Sequence, residues 1–157
     1  MRVMVAGVGN IFLGDDGFGV EVARRLSEVD LPAGVQVRDY GVSGMHLAFD
    51  LLDGYDTTIL VDATTRGDAP GTVYVVELDP VTEPSGTVDA HGMQPDVVLQ
   101  LLAMLGGHPG RVLLVGWEPA SVTDLIGLSP LVAGAVDVAV QKVIELVEVC
   151  DVPGHSR

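Results

Sequence analysis

The chain has a single cysteine, Cys150, in 157 residues, and only 8 lysines and arginines against 22 aspartates and glutamates. One thiol closes no intrachain disulfide, which points to a reducing, cytoplasmic setting. A formal charge of −14 repels nucleic acid and anionic lipid, so neither is expected as a partner. The same charge is compatible with a metal, a cationic partner, or solubility alone. No apolar run approaches the ~18 residues of a membrane span. Met1-Arg2-Val3 enters a strand pattern directly, without a charged leader, which argues against export. Internal repeats and a second domain are also missing.

What is present alternates between strand and helix. Residues Arg2 to Ala6 read as a buried strand, and Gly19 to Ser27 as a helix with Val22, Ala23 and Leu26 inward and Glu21, Arg24 and Arg25 outward. Val35-Gln36-Val37-Arg38 alternates like a strand with one solvated face. Met45 to Leu52 reads as a short helix closed by Asp53-Gly54. Thr58-Ile59-Leu60-Val61 is the most central strand by composition, and Asp62 follows it. Thr72 to Leu78 is a further strand. Asp79 to Gly92 is a long polar loop of the kind that is functional or disordered. A helix runs from Gln94 or Pro95 to Leu105, and Arg111 to Val115 is the last strand. Ser129-Pro130 opens a long helix with Val132, Val136, Val140, Val143 and Val147 at helical period.

This order predicts an α/β fold: a single-domain three-layer sandwich with a mostly parallel twisted sheet of about five strands and helices on both faces. The domain spans 1–149, and 150–157 is a C-terminal tail. Ligands of such sheets bind beyond the carboxyl ends of the strands.

Those ends are acidic. Gly7-Val8-Gly9-Asn10-Ile11-Phe12-Leu13-Gly14-Asp15-Asp16-Gly17-Phe18-Gly19 has the strand, glycine turn, helix layout of a phosphate loop, but two aspartates stand where the anion would go. The loop is thus better suited to a cation. Asp39, Asp62 and Glu118 follow three other strands, and His91 in the long loop supplies an imidazole. Clustered carboxylates imply a bound cation, shared protons or wide exposure. Carboxylate and imidazole donors suit Zn, Ni, Fe or Mn.

Plainer roles compete. Asp15 or Asp16 would serve as a helix cap, Asp62 as a turn residue, and Glu118, before Pro119, as a solvated turn residue. Asp39 also fits the ribose acid of a dinucleotide fold, and His91 an exposed loop histidine. Other patterns fail. Gly41-Val42-Ser43-Gly44-Met45 lacks the closing glycine of a nucleophile elbow. Phe12 occupies the third glycine position of a dinucleotide fingerprint, where bulk blocks the close approach of helix and strand. Cys150, at the end of the last helix, has no sign of reactivity.

Taken together, Gly7-Val8-Gly9-Asn10, Asp15-Asp16-Gly17-x-Gly19, Asp39-x-Gly41-x-x-Gly44, Asp62-Ala63 and His91 resemble the hydrogenase maturation proteases. The resemblance continues through Val115-Gly116-Trp117-Glu118-Pro119 and Ile126-Gly127-Leu128-Ser129-Pro130, to about Val149. It implies a small α/β endopeptidase that removes a short C-terminal extension from the large-subunit precursor of a nickel–iron hydrogenase, after nickel insertion and with nickel as part of what is recognised. By position, Asp16, Asp62 and His91 correspond to the family's metal-binding trio, the first of which is Glu in some members. Asp39 matches a further acidic position. Tyr40 stands where many members carry glycine, and Val42 where many carry threonine. Two carboxylates and an imidazole leave coordination positions open for ligands from a substrate. Hydrolysis would use the metal itself, or Asp16 and Asp39 in aspartic-type general acid–base work. A non-enzymatic metal-binding protein and a nucleotide-binding Rossmann-like module are the alternatives.

Overall fold

Short apolar runs become strands, and the amphipathic patterns between them become helices. The structure is a computed structural model that describes residues 2–8, 18–41, 44–63, 72–78, 102–107, 110–118 and 130–150. In chain order the elements are β1 (Val3–Val8), α1 (Phe18–Leu26), β2 (Val35–Gly41), α2 (Gly44–Leu51), β3 (Thr57–Ala63), β4 (Val73–Leu78), β5 (Arg111–Trp117) and α3 (Pro130–Cys150). A helical turn at 102–104 precedes β5.

The strands form one five-stranded sheet in the order β2-β1-β3-β5-β4. Neighbours are parallel except β4, which runs antiparallel to β5. The strand read as most central, β3, lies in the middle. Strand alternation sends successive side chains to opposite faces. Val3, Val5, Ile59, Val61, Val115 and Trp117 pack with Val22 and Leu26 of α1 and with Val136, Val143 and Val147 of α3. On the other face Met4, Ala6, Leu60 and Leu114 pack with Leu47 and Leu51 of α2 and with Leu102. The sheet is therefore covered on both sides, as its continuous apolar strands require. Among the described residues no helix is long and apolar enough to cross a membrane.

The structure differs from the sequence reading at three places. First, β2 and β3 run further than their apolar cores, because each continues as long as a neighbour pairs with it. Asp39 pairs with Gly7 and Asp62 with Gly116, so both acids lie inside strands and Asp62 is not a turn residue. Second, β1 and α1 do approach closely, despite Phe12. The contact uses other glycines: a Cβ on Gly7 would lie 2.1 Å from the carbonyl oxygen of Gly19. Third, the reversed β4 begins beside Trp117 and ends beside Val112, so the chain leaves it at the edge opposite the acidic strand ends.

Candidate functional site

The four parallel strands bring Val8, Gly41, Ala63 and Trp117 to one edge of the sheet. Beyond that edge lies the crevice in which open α/β sheets bind ligands. Asp62 stands at the carboxyl end of β3, and Glu118 directly follows β5 on the neighbouring strand. Alternation from Leu60 and Leu114 puts both on the α2 face. Both are withdrawn from water, with Asp62 9% exposed and Glu118 only 4%. Glu118 is therefore not a solvated turn residue. Its backbone N–H donates to the carbonyl of Thr72 at 2.9 Å, which ties the end of β5 to the start of β4 and holds the side chain inside.

Buried carboxylates are costly unless donors or a cation meet them. Asp62 and Glu118 are both engaged by further interactions. The aromatic wall beside them is Tyr74 of β4, which the sequence reading passed over. Tyr74 lies opposite Gly116, and its ring occupies the space that a side chain on Gly116 would fill. The signal was present in Val115-Gly116-Trp117, since a glycine inside an apolar strand marks a close approach by another group.

Asp39 is placed differently. It is exposed on the edge strand β2, and alternation from Val35 and Val37 sets it on the face of α1 and α3. Just beyond it, the β1–β2 register shifts by one residue, since Gly7 pairs with Asp39 and Val8 with Gly41. Tyr40 falls in that shift. Its hydroxyl donates to Asp50 Oδ2 of α2 at 2.7 Å, joining β2 to the helix. Burial, then the Asp50 carboxylate, pushes the Tyr40 phenol well above the ordinary tyrosine range.

Asp15, Asp16 and His91 lie outside the described residues, and among those described no group of three or more His, Cys, Asp or Glu forms a metal cluster. Cys150 is the last residue of α3.

A family model described as hydrogenase maturation protease matches residues 20–146, well over half of the chain. This chain belongs to the hydrogenase maturation protease family. The hydrogenase 2 maturation protease of Escherichia coli (strain K12) is 33% identical over 147 residues, covering 92% of this chain and 89% of that protein. The hydrogenase expression/formation protein HupD of Rhodobacter capsulatus is 33% identical over 147 residues, covering 91% of this chain and 70% of its own length. Among solved structures, the hydrogenase maturating endopeptidase HybD from E. coli superposes with a TM-score of 0.81 at 31% identity, over 96% of this chain and 94% of that one. As a member of the hydrogenase maturation protease family, the chain is a peptidase on a mostly parallel α/β scaffold. The matched window contains Asp39, Asp62, His91 and Glu118, whereas Asp15 and Asp16 precede it.

Proposed function

We propose that this chain is the endopeptidase that removes a C-terminal extension from a nickel–iron hydrogenase large-subunit precursor, acting after nickel insertion. Family membership supports the class of reaction. The observation that carries the site is the pair of buried carboxylates, Asp62 and Glu118, on one face of adjacent strands and two register positions apart at the carboxyl edge of a parallel sheet. Oxygen donors of this kind fit a divalent cation, and Asp16 and His91 would add a carboxylate and an imidazole. A set of Asp16, Asp62 and His91 leaves positions open, so it would hold nickel firmly only when ligands of the substrate complete the shell. This would let the protease check for the metal before cutting.

Nickel, when engaged, would supply Lewis-acid polarisation near the scissile bond. The chain's own residues would bind and orient the peptide and move protons. In the aspartic-type reading, Asp16 and Asp39 exchange protons with the attacking water and the leaving amine. The exposure of Asp39 on an edge strand suits exchange with solvent. The natural setting would be the cytoplasm, where large-subunit precursors are made.

The test is shortening of a purified large-subunit precursor, with and without nickel, read by mass spectrometry. Wild-type enzyme should process only the nickel-loaded form. Asp16→Asn, Asp62→Asn and His91→Ala should each abolish or severely slow processing, while Cys150→Ser should process normally. Wild-type rates in all three would overturn the site. Lost processing together with a collapsed melting temperature would show that the side chains serve the fold.

A further inference from the structure

Tyr74 sits at the outer end of a row of three residues in register across the sheet: Tyr74 on β4, Gly116 on β5 and Asp62 on β3. A Cβ on Gly116 would lie 2.3 Å from Cε1 and 2.3 Å from Cζ of Tyr74, and 2.6 Å from its hydroxyl oxygen. No side chain fits there while the ring is in place. The phenol therefore starts on β4 and carries its tip over β5, in the direction of β3. One strand spacing, ~4.8 Å, separates the backbone under that tip from the backbone of Asp62. A carboxylate and a hydroxyl extending from the two sides can span that distance.

The row lies on one face. Tyr74 packs against the cluster formed by Leu60, Leu114 and α2, the face on which alternation puts Asp62 and Glu118. Asp62, Tyr74 and Glu118 are each engaged by further interactions. An ionised carboxylate accepts hydrogen bonds only, and a phenol is a ready donor. Partners that hold a ligating carboxylate in one orientation are a recurring need of metal sites.

We propose that Tyr74 is a positioning residue for the Asp62 carboxylate, its hydroxyl fixing which oxygen faces the crevice. The glycine at 116 is the structural condition for this, because any larger residue displaces the ring. The inference rests on Asp62 belonging to the processing site, so the experiment carries a separate arm for that reading.

The test uses the full chain and a nickel-loaded large-subunit precursor. Tyr74→Phe keeps the ring in the Gly116 gap and removes only the hydroxyl. It should lower kcat by about 10-fold or more, leaving KM and the melting temperature unchanged. Gly116→Ala keeps the hydroxyl but displaces the ring, and should lower kcat in the same way. A Tyr74→Phe enzyme with wild-type kcat overturns the proposal. So does one whose lost activity comes with a raised KM or a lowered melting temperature, since the hydroxyl would then serve only binding or folding. Asp62→Asn is measured in parallel. Its failure to impair processing overturns the site and this inference with it, whereas impaired Asp62→Asn beside unaffected Tyr74→Phe overturns the inference alone.

Discussion

Replacing Gly7 by alanine tests the contact that seats the first helix on the sheet. The new Cβ would lie 2.1 Å from the Gly19 carbonyl oxygen, 2.8 Å from the Gly19 carbonyl carbon and 2.8 Å from the Ala23 Cβ. Carbon atoms pack at about 3.5–4.0 Å, so α1 must retreat by roughly 1 Å. The nearest atoms are backbone, so no side-chain rotation relieves the clash. Retreat also opens a gap beneath Val22 and Leu26, both fully buried, and a gap of 0.5–1 Å forfeits a quarter to a half of each lost contact. Overpacking of this kind costs about 1–3 kcal/mol, and the backbone clash puts Gly7→Ala near the upper end. For a domain of this size that lowers the melting temperature by roughly 6–12 °C. The assay is thermal and urea unfolding followed by circular dichroism. Gly134→Ala is the control: its Cβ would meet nothing within 4 Å, so the ordinary helix preference should stabilise the chain by about 0.5–1 kcal/mol. A Gly7→Ala protein that melts at or above the wild-type temperature refutes the packing argument.

Other outcomes follow from single contacts. Hydrogen bonding from Arg24, with help from Arg25, holds the Glu21 carboxyl below the ordinary glutamate range against the opposing effect of burial. A depressed folded-state pKa gives stability that is present above about pH 4.3 and lost as pH falls through the lower folded value. Glu21→Gln should therefore cost under about 1 kcal/mol at neutral pH and flatten the acid limb of a stability-against-pH curve; an unchanged acid limb would count against it. Tyr40→Phe removes the hydroxyl that donates to Asp50 and should cost about 1 kcal/mol in urea unfolding. In a spectrophotometric titration, wild type should keep a tyrosine un-ionised at about pH 11 that the Tyr40→Phe protein lacks. Trp117 is the only tryptophan and is fully buried, so native fluorescence should resist acrylamide quenching until the chain unfolds. NAD should not bind at micromolar concentration in a calorimetric titration, because Asp15 and Asp16 oppose the pyrophosphate charge.

The strands were legible because a sheet covered on both faces needs nearly continuous apolar runs, and Val3 to Ala6, Ile59 to Val61 and Val112 to Val115 supply them. Helix α1 was legible from Val22, Ala23 and Leu26 at helical spacing, all buried as read. Strand direction was not legible, since Val73 to Leu78 has the same composition whichever way it runs. It emerges only from the pairing, in which Val73 lies beside Trp117 and Leu78 beside Val112, antiparallel to β5. Glu118 was misread because Pro119 signals a turn. Burial follows instead from its place two residues beyond Gly116, on a face already closed by Tyr74 and α2. Tyr74 itself carries no local motif. Its position becomes visible only once Gly116 is paired with it.

The period of two along each strand also sorts the acids by face. Asp39 goes with Val35 and Val37 toward α1, whereas Asp62 and Glu118 go with Leu60 and Leu114 toward α2. A one-residue slip in either strand would reverse that assignment, and the half-buried Val35 and Val37 and the buried Leu60 and Leu114 oppose it. Asp62 therefore draws its neighbours from the α2 side. In the order β2-β1-β3, the strand β1 also lies between Asp39 and Asp62, so the two acids are separated both by a strand and by face.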